Sequence, residues 1–189
     1  GSTGDEASGL GAWGSLSQDD GWRDASPVDE AKLGLLHQRR WRDGELRLRF
    51  AGTLLEQETA GFVRGLDAYR DPRLARSNPN PEAFRDAWST RAAATWSADP
   101  ACAGCVTDLR LMLRRSRMEF LQHFLLGKPL ERNGQDSLSL SALVARPAGR
   151  SESLLWRAGL DLEAAASWLV EFQAGPPRAG RALARALRP

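Results

Sequence analysis

Cys102-Ala103-Gly104-Cys105 is the one cluster in this 189-residue chain whose residue types and spacing suit chemistry. Two thiols separated by two residues can form half of a structural zinc site or a redox dithiol. A zinc site needs two further ligands. The remaining soft candidates are His37 and His123, at spacings unlike those of familiar fingers. A redox dithiol wants a strand before it and a thioredoxin-like frame, which the residues before Cys102 do not provide. The two cysteines are therefore expected in the first turn of a mostly buried helix, an arrangement that argues against a disulfide between them. No metal and no cofactor is expected.

Other chemistries fare no better. There is no Gly-x-Ser-x-Gly elbow, and neither histidine has a nucleophile in its sequence context. His37, beside Arg39 and Arg40, reads as an exposed helix-end residue. The chain has no Walker loop or dinucleotide fingerprint, so a phosphate cradle of either kind is missing. The carboxylate pair Asp19-Asp20 falls in a segment expected to be flexible, and a catalytic site needs rigid support. The expectation is a protein that is not an enzyme.

The arginines are the stronger signal. Residues 105–129, CVTDLRLMLRRSRMEFLQHFLLGKP, carry Arg110, Arg114, Arg115 and Arg117 within eight positions. Read at 100° per residue, Cys105, Leu109, Met112, Leu113, Ser116, Phe120, His123 and Phe124 share one arc and predict a helix with that arc toward the core. Arg110, Arg114 and Arg117 then lie on the far side, with Arg115 beyond. Leu111, Met118, Leu121 and Leu125 are interspersed among them, so the helix is expected to present an apolar-basic surface to a partner. Arginine stems can cover apolar surface while the guanidinium stays wet.

Composition tempers the arginine signal. Of 26 basic residues only Lys32 and Lys128 are lysine, which together with abundant Ala, Gly and Pro suggests a GC-rich coding sequence. Such a bias raises arginine content with no ligand to explain it. The net charge of +2 hides an acidic head, with seven acids in residues 1–30 against Arg23. It also hides a basic tail with Arg178, Arg181, Arg185 and Arg188. Segments of this kind serve as interaction arms or pair with each other.

The elements that would position these groups read as follows. Residues 1–25 are rich in Gly, Ser and Asp, lack a period and predict a flexible acidic segment interrupted by Trp13 and Trp22. Ser26-Pro27 with Asp29 and Glu30 predicts a helix start, the helix ending near Trp41. Glu45 to Phe50 alternates strictly and predicts a strand. Thr53-Leu54-Leu55-Glu56 reads as a capping box opening a helix toward Tyr69. Asn80-Pro81 predicts a helix carrying Phe84, Trp88, Ala92 and Trp96, and Asp99-Pro100 introduces the arginine helix. Asn133-Gly134 marks a tight turn before a second strand over 138–144, expected to pair with 45–50 or with 128–132. Short helices are predicted over 151–158 and from Asp161 to Ala174, the latter stopped by Gly175 and Pro176.

The sum is an α+β fold, predominantly helical, with about five or six helices and a small antiparallel sheet of two or three strands. Residues 26–175 form the globular domain, between the 1–25 segment and a 176–189 basic tail. No stretch approaches the ~18 continuous apolar residues of a membrane helix. A cytoplasmic protein without a membrane partner is therefore expected. The function expected is a noncatalytic protein-binding or adaptor module, with a protein partner or homo-oligomer. Its alternative is a nucleic-acid-binding accessory protein contacting phosphates through the 110–117 arginines and those of the tail.

Overall fold

The computed structural model describes residues 2–4, 7–41, 44–98, 105–147 and 155–173. Its governing period is two. Among the described residues eight strands lie in chain order in one sheet: β1 (Ser2–Gly4), β2 (Ser8–Asp19), β3 (Val28–Trp41), β4 (Gly44–Glu58), β5 (Phe84–Ala98), β6 (Val106–Leu121), β7 (Leu130–Pro147) and β8 (Leu155–Phe172). Each pairs antiparallel with the next. Sequence neighbours are thus spatial neighbours throughout, a meander that needs no crossover connection.

The predominantly helical α+β expectation is overturned. The only helical pieces among the described residues are a 3-10 turn at Ala68–Arg70 and the five-residue α1, Pro72–Arg76, which Asp71 caps by accepting from the Arg73 and Leu74 backbone N–H groups. The helices expected from 26, 80 and 105 are β3, β5 and β6, and the two expected beyond 150 fall, where described, within β8. Thr53, assigned to a helix cap, sits inside β4 opposite Ser89, and Gly134, assigned to a turn, sits inside β7 opposite Arg117. The strands expected at 45–50 and 138–144 exist as parts of the longer β4 and β7. Those two strands do not pair with each other, because β5 and β6 lie between them. Ser8–Asp19, expected to lack a period, is β2.

The physical reason is visible in Leu109-Arg110-Leu111-Met112-Leu113-Arg114. Leu109, Met112 and Leu113 satisfy the helical i, i+3, i+4 spacing, and Leu, Arg and Met all favour helices when alone. The same residues also alternate, with leucine at every second position. In a sheet that alternation is rewarded by cross-strand partners on both sides, and packing against neighbours outweighs local propensity.

The connections at the two ends differ. At one end residues 42–43 join β3 to β4, and 99–105 and 148–154 join the later pairs. At the other, residues 20–27, 59–83 and 122–129 interlock. The Arg23 guanidinium donates to the Gly61 carbonyl at 2.6 Å and, through Nε, to that of Ser77 at 3.1 Å. Asn78 donates to the Ala25 carbonyl at 2.9 Å, and the Lys128 ammonium reaches Asn80 at 3.0 Å and pairs with Glu82. The one buried apolar cluster among the described residues, Phe84, Leu121 and Leu130, lies at this end. No second layer covers the middle of the sheet among the described residues. Leu48, Leu111 and Leu140 in its centre are each at least 40% exposed.

Candidate functional site

With no second layer, the chemistry lies in how the two faces differ. Directly opposed residues share a face, and alternate residues along a strand share it too. One row across the sheet is therefore Leu35, Phe50, Ala92, Leu113, Leu138 and Ala164. The next row on the same face is His37, Leu48, Ala94, Leu111, Leu140 and Leu162, and the one after is Arg39, Leu46, Trp96, Leu109, Ala142 and Leu160. This face is an almost unbroken apolar band, in which alanines 92 and 164 leave a shallow trough of about 690 Å³ between Phe50 and the leucines of β6 and β7.

Five of the seven tryptophans lie on this face, at the ends of the band. Trp41, Trp96 and Trp156 stand at the end of the short β3–β4 connection, where the rings of Trp41 and Trp96 are 5.8 Å apart. Trp88 and Trp168 stand toward the interlocked end, in one row with Arg117 and Gly134 between them. At 3.4 Å per residue Trp88 and Trp96 are about 27 Å apart along β5. Trp41 and Trp168 each carry a guanidinium over the ring, from Arg39 at 5.1 Å and Arg117 at 5.4 Å.

The opposite face is polar. Lys32, Thr53, Ser89, Ser116, Gln135 and Ser167 form one row of it, and Gly34, Ala51, Arg91, Arg114, Ser137 and Ala165 form the next. Arg47, Arg49 and Arg110 belong to it as well. Near its margin Glu45, 7% exposed, pairs with Arg40 at 2.9 Å and with Arg47. Burial pushes the Glu45 carboxyl up, but the hydrogen bonds and charges of Arg40 and Arg47 together outweigh it and hold it below the ordinary range.

The sheet separates the residues expected to act together. Arg110 and Arg114 point from the polar face, exposed, and Arg115 and Arg117 from the apolar one. Arg115 Nε and Arg117 Nη2 hold the two oxygens of Asp136 at 2.6 and 2.7 Å. The Arg115 hydrogen bond, followed by that of Arg117, draws the Asp136 carboxyl down to about 2. The same contact raises Arg115. Leu111 lies on the apolar face, Met118 on the polar one; Leu121 is buried against Leu130, and Leu125 is exposed in the β6–β7 connection. Arg178, Arg181, Arg185 and Arg188 lie outside the described residues.

His37 sits on the apolar face opposite Leu10 and Leu48, and His123 in the β6–β7 connection, its ring edge-on to Phe124. Cys105 is disulfide-bonded, and the only other cysteine of the chain is Cys102, outside the described residues. The helix expected to follow the cysteines, which argued against a disulfide, is strand β6, and Cys105 immediately precedes it.

Sequence reasoning passed over the tryptophan borders, and over Arg49 and Arg91, the latter directly opposite Arg114. The signal was parity: Trp88 with Trp96, and Trp156 with Trp168, are separated by even numbers of residues, which in strands means one face. No family model, curated protein or solved structure matches this chain.

Proposed function

We propose that this sheet is a section of the wall of a membrane-spanning β-barrel, its apolar face toward lipid and its polar face toward a water-filled lumen. The observation that carries the reading is the apolar band bounded at both ends by tryptophan. Barrel walls present lipid with an apolar band about 25 Å tall flanked by aromatic girdles. The stretch of β5 from Trp88 to Trp96, tilted by about 40°, spans about 20 Å. Tilt also explains why the band runs obliquely: its charged margin on β3 is His37 and Arg39 at one end, and on β6 it is Arg115 and Arg117 at the other.

Among the described residues no helix is long and apolar enough to cross a membrane. That expectation of no membrane rested on helices, and strands cross with a period of two that no continuous apolar run reveals. The disulfide at Cys105 supports an oxidising compartment on at least one side, in place of the cytoplasm. An open edge is not tolerated in hydrocarbon, so this reading requires the edges at β1 and β8 to be paired within the membrane. In this reading the wall is noncatalytic, and its specificity lies in what lines the lumen.

The adaptor reading survives as the competing account of the apolar face, which a protein partner would then cover in place of lipid. The nucleic-acid reading is weakened, because Arg115 and Arg117 are already engaged by Asp136.

Environment-sensitive labelling of single cysteines placed from Leu46 to Leu54, in a Cys102→Ser/Cys105→Ser background reconstituted into lipid vesicles, tests the proposal. Blue-shifted emission at 46, 48, 50 and 54, alternating with water-like emission at 47, 49, 51 and 53, is expected. A chain that stays in the aqueous phase with a protein-covered apolar face would overturn it.

A further inference from the structure

We propose that Arg91 and Arg114, with Arg49 beside them, form an anion-binding site on the polar face, built for a solute with several negatively charged oxygens, of the diphosphate or polycarboxylate class. Arg91 and Arg114 are directly opposed across β5 and β6. Opposed residues on one face have their Cβ atoms about 5 Å apart, and like charges there destabilise a sheet. A sheet ordinarily avoids this arrangement or places an acid beside it. Here the cross-strand neighbours in the same row are Ala51 and Ser137, neither of which can neutralise a guanidinium.

Arg49 extends the cluster. It pairs with Ala93, two residues along β5 from Arg91, which is the diagonal position that long side chains reach. All three are exposed and take part in no ion pair among the described residues. Arg110, exposed on the same face, also lacks an ion pair among the described residues, but it faces Thr95 and Ser141 and not a second arginine. Other arginines of the sheet have an acid. Arg47 has Glu45, Arg115 and Arg117 have Asp136, and Arg132 has Glu119. Two arginines opposed across a ladder with no acid in their row point to a counter-charge supplied from outside.

The guanidinium fork matches phosphate and carboxylate oxygens two at a time, so three such forks at neighbouring ladder positions favour a multivalent oxyanion over chloride. The surroundings suit such a solute. Ser89, Ser116 and Ser137 leave the adjacent surface low and hydroxyl-bearing, and Trp13 offers an aromatic surface in the same row beyond Gly34 and Ala51. The inference rests on the barrel reading for its setting, a water-filled lumen through which such a solute would pass. The contacts themselves need only the sheet.

Equilibrium dialysis of inorganic pyrophosphate against the full chain in nonionic detergent micelles tests the site without a bilayer. Retention at low salt that falls at least ten-fold in Arg91→Gln/Arg114→Gln is expected. An Arg73→Gln/Arg76→Gln control, which removes the same charge from the connection, should leave retention unchanged. Equal retention in all three proteins, or equal loss in both variants, would overturn the site in favour of diffuse attraction. Thermal melts keep the test independent of folding defects: removing one member of an opposed like-charged pair should raise the Tm of Arg91→Gln without ligand, and pyrophosphate should raise the Tm of the parent chain alone. A variant that melts lower than the parent would also overturn the proposal. Pyrophosphate retention together with failure of the labelling pattern in vesicles would keep the site and remove the lumen.

Discussion

Trp13 of β2 lies over Gly34 of β3: a Cβ built on Gly34 would come within 2.0 Å of the Trp13 indole nitrogen and 2.2 Å of Cε2. The glycine is a seat for the ring. It explains how a large aromatic lies down on a face that is largely small and polar.

Gly34→Ala should therefore lift the indole off the sheet. Because Trp13 is more than half exposed and can swing toward solvent, the cost should stay within about 1 kcal/mol, below that of overpacking a closed core. Difference fluorescence against a Trp13→Phe protein reads the change. An unchanged Trp13 signal would show that the ring does not rest on Gly34.

Asp136 joins Arg115 and Arg117 and titrates near about 2, against an ordinary value of 3.8. Its carboxyl is depressed in the folded chain, so the stabilisation it provides is fully present above the ordinary value and is lost as pH falls through the folded one. The Tm difference between the parent and Asp136→Asn should be constant above about pH 5 and disappear between about pH 4 and 2. The group is substantially exposed, so the difference should be small and shrink with salt. A difference growing toward acid pH would contradict the pairing.

Leu140 and Ser141 are consecutive on β7 and face opposite ways. In lipid vesicles Leu140→Arg should cost about 2–4 kcal/mol of folding stability if it lies near mid-bilayer, whereas Ser141→Arg should be tolerated. Urea-driven folding and unfolding titrations in vesicles measure both. Equal effects would contradict the assignment of faces.

Phe84, with Leu121 and Leu130, anchors the interlocked end and is 2% exposed. Phe84→Ala should destabilise by about 3–5 kcal/mol, the usual cost of emptying a buried aromatic site. Hydrogen exchange should show the loss first in residues 59–83 and 122–129. Uniform loss across β2 to β8 would place the cluster's role elsewhere.

The sequence by itself determined the alternation. Leu46, Leu48 and Phe50 were legible as one face of a strand, and Leu138, Leu140, Ala142 and Val144 as another. The absence of familiar catalytic motifs was legible too. In β6 the same leucines also fitted a helix, because Leu109, Met112 and Leu113 satisfy both periods and no local signal chooses between them. Only the tertiary structure decided that choice. Each strand's partners reward alternation by contacts that lie far along the chain, as when Leu111 meets Ala94, 17 residues before it, on one side and Leu140, 29 residues after it, on the other. The arginines show the same division of labour. Their number was plain in the chain, but register alone set Arg115 and Arg117 against Asp136 and left Arg91 facing Arg114, because opposition across a ladder depends on the lengths of connections and not on neighbours in sequence.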